Sequence, residues 1–252
     1  TFGLSDEGIL DSPLDYSVVL ERWKKLFPNS RVLIVIRSQP HLVFSLFVQY
    51  VRAGYFRGIR EFTEELMWNA QQGPWGTFKF DRIYEITKEH FEEVKLIPFE
   101  LLRSDASAFV HELNLFFERD VEVNVDRVRP SPSDVHLDLM RNLNRCFKHG
   151  LGLRVMHPQP SYVTGEGRDI VNQIDPPRIN ERSSRRRKNI RIWSHRIASV
   201  MERLPSSKAT TMRSEYVKRY GDLFVQAFGQ SNENLSNRLG IDLASLGYPI
   251  SR

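Results

Sequence analysis

The sequence predicts an α/β domain of three layers, a central parallel sheet flanked by helices, with many further helices in the C-terminal half. Val32 to Ile36 is an unbroken run of β-branched residues and leucine, too short to cross a membrane, of the kind found in strands buried on both faces of a parallel sheet. Val94 to Pro98 is a second such run. Around both lie segments whose apolar residues recur at helical spacing. A helix, a turn and a strand in succession form a crossover unit, and a crossover demands a parallel neighbour.

Length and composition bound the rest. A chain of 252 residues is ample for one such domain with a sizeable core, so residues 1–252 read as a single domain. No apolar run approaches the ~18 residues of a membrane-spanning helix, and no basic-then-apolar leader is present. The single cysteine, Cys146, excludes an intrachain disulfide and leaves no thiolate cluster for zinc, which fits a reducing compartment; the chain is expected in the cytoplasm, with a Golgi-type luminal domain as the alternative. Set on an amphipathic helix, it reads as a half-buried inert thiol. Lysine and arginine number 36 against 31 acidic residues, a net charge of +5. The natural partners are therefore polyanions: a nucleotide, an acidic or sulfated glycan, a nucleic acid or an anionic membrane. Charge alone does not choose among them.

Taken in order, Thr1 to Leu4 can end a strand that runs into the polar loop Ser5 to Gly8. Asp15 reads as the N-cap of a helix with Tyr16, Val19, Leu20, Trp23, Leu26 and Phe27 on its inner face, stopped by Pro28 and Asn29. The strand Val32 to Ile36 follows and ends on Arg37. Pro40 fits the first turn of the next helix, where no N–H is needed; that helix carries Phe44, Phe47, Val48 and Val51 inward and ends near Gly54. A cation at the carboxyl end of a buried strand, just before a helix N-terminus, is well placed to hold an anion, and Ser45 can point back to donate to it. From spacing alone, an ordinary surface arginine and a helical serine fit equally well.

Ile59 to Ala70 reads as a helix with Phe62 and Leu66 inward, and Gln71 to Phe80 as a loop broken by Gly73, Pro74 and Gly76 around Trp75. A helix resumes from Tyr84 to Phe91 before the second strand, and another opens at Ser104-Asp105 with Phe109, Leu113, Phe116 and Phe117 inward. Glu118 to Pro132 is a charged excursion. Asp134 to His149 carries Val135, Leu137, Leu139, Met140, Leu143 and Phe147 at helical spacing, with Gly150 as its C-cap. Leu151 to Pro177, punctuated by glycine and proline, predicts a long irregular connection. Ile179 to Lys188 holds an arginine run that by itself fits a solvated face or a polyanion patch. Helices follow at Ile190 to Arg203 and Met212 to Phe228, and Ser231 caps a last short helix that Gly240 ends.

An arginine closing an apolar strand, a proline just after it, and a serine eight positions beyond the arginine in an aromatic-rich helix together resemble the 3′-phosphate-binding segment of sulfotransferases that use 3′-phosphoadenosine 5′-phosphosulfate (PAPS). Arg37 and Ser45 match the two residues that hold the donor's 3′-phosphate in that family. The second strand with its Pro-Phe-Glu-Leu-Leu continuation, and the tail from Ser231 to Pro249, are similar to bacterial-type members. There the acidic residue after the strand braces the sheet, so Glu100 is assigned to architecture. The stretch Asn180-Glu181 followed by Ser184-Arg185 is similar to a late loop of glycan sulfotransferases that closes over the same phosphate.

The resemblance implies a P-loop-type fold and an enzyme that moves a sulfuryl group from this donor to a hydroxyl, on a carbohydrate, releasing 3′-phosphoadenosine 5′-phosphate. It implies no metal and no nucleic-acid partner. The family's phosphosulfate loop, rich in Lys, Ser or Thr and Gly, is not found; the nearest string, Pro205 to Thr211, lacks the glycine and follows a helix. The resemblance thus implies a chain that begins after that loop, with Glu7 near the transferring group as the acceptor-side acid or base. The seven histidines include no pair at the i, i+4 spacing of a helical metal site. A reading of another class is a non-catalytic basic module that binds a nucleic acid or a sulfated glycan.

Overall fold

The computed structural model describes residues 16–52, 54–69, 78–120, 133–151 and 212–251. Outside them lie the expected first strand and loop with Glu7, the Trp75 loop, residues 121–132, the irregular connection, the basic loop with Ser184 and Arg185, the helix expected at 190–203, and the string 205–211. The described chain is mostly helical with a small parallel sheet. It falls into two compact units, one from the described parts of 1–42, 69–129 and 216–252, the other from those of 43–68 and 130–215.

The first unit is built on β1 (Val32–Ile36) and β2 (Val94–Pro98), which pair in parallel with Val32 opposite Val94 and Ile36 opposite Pro98. Both strands have the predicted bounds. Alternation along them divides the core. On one face Ile36 and Leu96 pack with Phe80 and Ile83 of α4 (Phe80–His90), with Leu235 of α8 (Met212–Leu239), and with Leu243 and Tyr248 of the C-terminal segment. On the other, Ile97 packs with Phe109 and Leu113 of α6 (Ala106–Phe117), and Leu33 and the α5 (Phe99–Ser104) residues Leu101 and Leu102 lie against them. At the amino ends of the strands, Arg31 bonds Glu93 at 2.6 Å and Glu118 at 2.7 Å.

Burial corrects several expectations in this unit. β1 is covered only in part on its second face: Val35 is 49% exposed, because the cluster around α6 takes in Leu33 and leaves Val35 open. Val35→Thr is therefore expected to change stability by no more than about 0.5 kcal/mol, the range of surface substitutions; a loss of several times that in a denaturant melt would mean the face is covered. In α1 (Tyr16–Leu26), Leu20 is buried but Leu26 is 70% exposed and Phe27 is exposed too. Leu26 lies about 120° around the helix from Leu20, and Phe27 falls past the helix end. Phe117, expected inward, is likewise exposed, at the last residue of α6 before Glu118 turns left-handed. Asp105 does cap α6, accepting from the Ala108 N–H at 2.9 Å. α4 starts four residues before the expected Tyr84.

The two helices expected at the C-terminus are one, α8, which runs without a break through Ser231. Ser231 does not cap anything: its hydroxyl bonds Asp81 of α4. Gly240, with φ +64, does end the helix.

The second unit holds α2 (Gln39–Arg52) from Val43 onward, α3 (Ile59–Asn69) as far as Trp68, α7 (Asp134–Leu151) and the first turn of α8. Phe44, Phe47, Val48 and Val51 are buried as their spacing predicts, and Phe47 lies 5.6 Å from Phe62 and 6.3 Å from Tyr55, ring centre to ring centre. α2 ends in a Schellman turn, with the Tyr55 N–H on the Tyr50 carbonyl and the Gly54 N–H on the Val51 carbonyl; Gly54 has the required positive φ, +112°. Asn144 of α7 donates to the Val51 and Tyr55 carbonyls at 2.8 and 3.0 Å, and so ties α7 to the turn that ends α2. Gly150 is not a cap, since α7 continues through it to Leu151. Cys146 is exposed rather than half-buried: it lies well around the helix from the buried Met140.

Candidate functional site

The register of β1 and β2 builds a polar cluster at their carboxyl ends. Ile36 faces Pro98, so the next residue out of each strand is Arg37 on one side and Phe99 on the other. The Arg37 guanidinium stands over the Phe99 ring, 5.2 Å from its centre. One residue further, the Ser38 N–H donates to Glu100 Oε1 at 3.0 Å. β2 passes directly into α5 at Phe99, which is why Glu100 falls in a first helical turn with its carboxylate toward β1.

Glu100 is only 8% exposed, and a buried carboxylate needs its oxygens satisfied. Tyr248 Oη donates to Oε2 at 2.8 Å, and the His41 ring lies 4.0 Å from Oε1. Burial pushes the Tyr248 phenol far above its ordinary pKa; the adjacent Glu100 charge and hydrogen bond push the same way, while Arg37 pulls it back. Tyr248 thus keeps its proton and donates it in the hydrogen bond to Glu100. The Ser38 hydroxyl donates to the Gly247 carbonyl at 2.7 Å. Gly247 presents that carbonyl from a backbone with φ +81, a conformation that side chains disfavour.

Beneath this cluster two fully buried amides pair with each other. Gln39 Nε2 donates to Asn232 Oδ1 at 2.8 Å, and Asn232 Nδ2 donates to Gln39 Oε1 at 3.0 Å. Their remaining donors go to the Phe78 and Pro249 carbonyls. The first turn of α2 is therefore held by α8 and by the Phe78 carbonyl at once, and Asn232 ties this pair to the C-terminal segment. With all four contacts made, the network costs little and fixes one backbone path.

Arg37 and the N-terminus of α2 thus share the carboxyl end of a parallel strand pair, an arrangement suited to an anion. Glu100 is the brace expected of it. Ser45 is half-buried on α2 and belongs to the second unit, whereas Arg37 belongs to the first. Glu7, Ser184 and Arg185 lie outside the described residues. Among the described residues, no group of three or more His, Cys, Asp or Glu could hold a metal. Ser38, His41, Gly247 and Tyr248 were not legible as site neighbours, because each reaches the cluster through a contact distant in sequence, 209 residues away for Ser38 and Gly247. The signal available was Tyr248 itself, an aromatic with a polar tip set between a glycine and a proline.

Among known proteins, the chain matches no family model, no curated protein and no solved structure.

Proposed function

We propose that this protein is a sulfotransferase that binds 3′-phosphoadenosine 5′-phosphosulfate and moves its sulfuryl group to a hydroxyl, on a carbohydrate acceptor. The observation that carries the reading is Arg37, which leaves a parallel strand at its carboxyl end directly before the N-terminus of α2. Arg37 and the first turn of α2 would hold the donor's 3′-phosphate, a dianion for which a guanidinium and helix N–H groups are suited. Ser45, and Ser184 with Arg185, enter from the resemblance in sequence alone, as does Glu7 as acceptor-side acid or base. The finer fold is a P-loop-type three-layer domain, consistent with a parallel strand pair that has helices on each face.

In the reaction the acceptor oxygen bonds to sulfur while the bond from sulfur to the bridging phosphate oxygen breaks. Charge moves onto the departing 3′-phosphoadenosine 5′-phosphate, and the acceptor proton goes to a base. The residues at the strand ends supply donor binding; they hold the nucleotide by the end remote from the sulfur. No metal enters this scheme, and the single cysteine fits work in the cytoplasm. No helix among the described residues is long and apolar enough to cross a membrane.

The test is calorimetric titration of the chain with adenosine 3′,5′-bisphosphate and with adenosine 5′-monophosphate at one salt concentration. A donor site is expected to favour the bisphosphate by at least about tenfold, the value of one charge-assisted contact. Equal affinity for the two, together with a steep loss of binding as salt rises, would instead favour a basic module that tracks polyanions, in keeping with the net charge of +5.

A further inference from the structure

Glu100 poses an electrostatic problem for the site just described. It is a buried carboxylate one residue from the ring on which Arg37 rests, and both it and Arg37 act on the Tyr248 phenol. A carboxylate that turned onto the guanidinium would form the planar two-bond pair that arginine makes best, in competition with a phosphate for the same donors. The hydrogen bonds oppose that turn. Oε1 is held by the Ser38 N–H and Oε2 by the Tyr248 hydroxyl, from opposite ends of the chain.

Tyr248 is itself held in place. The Asn232 amide grips the Pro249 carbonyl on its C-terminal side at 2.8 Å, and the Ser38 hydroxyl grips the Gly247 carbonyl on its N-terminal side. Its N–H bonds the Leu243 carbonyl at 3.1 Å, and its ring meets Phe80 edge to face, 6.4 Å between centres. A tyrosine fixed at backbone and ring is a rigid donor. Glu100 is also fixed at its base, in the first turn of α5.

We infer that Tyr248 is a positioning residue of the anion site: by holding Oε2 of Glu100 it keeps this carboxylate off Arg37, so that the guanidinium serves the ligand. The inference rests on the donor-site reading above. It makes the C-terminal segment part of the binding apparatus. It also explains why a carboxylate can lie beside an anion site at all: its charge is spent on fixed donors. Removing the Tyr248 hydroxyl while leaving the ring releases Oε2, and Arg37, which stands over the ring beside Glu100 and acts on the same phenol, is the cation to which it would turn.

The experiment titrates adenosine 3′,5′-bisphosphate and adenosine 5′-monophosphate into the wild-type chain, Tyr248→Phe, Glu100→Gln and the double variant, with a thermal melt of each. Tyr248→Phe is expected to lose about tenfold in bisphosphate affinity with little change toward the monophosphate. Glu100→Gln is expected to bind the bisphosphate as well as wild type or more tightly, and adding it to Tyr248→Phe to restore most of the loss. A purely structural brace predicts the reverse, since two broken contacts should be worse than one. Unchanged affinity in Tyr248→Phe, or a double variant weaker than either single one, overturns the inference. Should Tyr248→Phe fail to fold, Glu100→Gln decides: weaker bisphosphate binding in a folded variant overturns the inference. Absence of bisphosphate preference in the wild type removes the donor-site reading itself, a result distinct from these.

Discussion

Arg37→Ala is expected to lower affinity for adenosine 3′,5′-bisphosphate by about 10- to 100-fold and to leave affinity for adenosine 5′-monophosphate nearly unchanged, the span expected when one charge-assisted contact to a phosphate is lost. The selectivity is the diagnostic part. A guanidinium that merely adds to the positive field of the surface would weaken both nucleotides alike, and its loss would fade as salt rises. Arg37→Lys is the sharper companion. It keeps the charge but loses the planar fork and the stacking over Phe99, 5.2 Å away in the wild type, so it should recover only part of the preference. The substitution should cost little stability, because Glu100 is held by Ser38 and Tyr248. If Arg37→Ala binds both nucleotides as the wild type does, Arg37 is not the phosphate ligand.

The largest stability effect is expected from one methyl group in α8. Gly221 and Gly229 both lie inside this helix, where alanine is ordinarily better than glycine by about 1 kcal/mol. A Cβ at Gly221 would meet nothing within 4 Å, so Gly221→Ala should stabilise by roughly that amount. A Cβ at Gly229 would lie 2.7 Å from the Ser251 backbone nitrogen and 3.2 Å from the Ile250 carbonyl carbon, besides its approach to the Ser251 hydroxyl. Backbone cannot swing aside as a side chain can. Gly229→Ala must therefore push the C-terminal segment off α8, and this segment carries the buried Leu243 and Tyr248. Overpacking of this kind costs about 1–3 kcal/mol and should outweigh the gain in helix propensity. The two alanine variants should thus move the denaturant midpoint in opposite directions. Gly229→Ala should also weaken bisphosphate binding if Tyr248 positions Glu100. Stabilisation by Gly229→Ala would mean that the segment does not lie against the helix there.

The same glycine shows where local reading of the sequence fails. Glycine and serine near residue 230 look like the end of one helix and the cap of the next. In the fold the glycine makes room for a passing chain and the serine bonds a neighbouring helix, so α8 runs on. Neither role is local: the glycine answers to Ile250 and Ser251 beyond the end of the helix, and Ser231 to Asp81, 150 residues away. Leu26, Phe27, Val35 and Phe117 fail for a related reason. Periodicity states which residues share a face, but a neighbour must cover that face for them to be buried, and here cover ends before these positions.

What could be read from the chain alone was whatever short-range physics enforces. Apolar runs set the bounds of β1 and β2, the 3.6-residue repeat placed Phe44, Phe47, Val48 and Val51 inward, Asp105 and Gly240 marked helix ends, and Arg37 stood out as a cation at a strand terminus. Each of these follows from a few consecutive residues. The tertiary structure decided the surroundings of Arg37: that Phe99 lies beside it, that Glu100 is tied by Ser38 and Tyr248, and that Gln39 and Asn232 anchor the turn. These contacts join segments 62 to 193 residues apart, and nothing in local propensity ranks one such partner above another. Parallel strand pairing brings Arg37 and Glu100 to one edge, and the C-terminal segment supplies the hydroxyl that bonds Glu100 there.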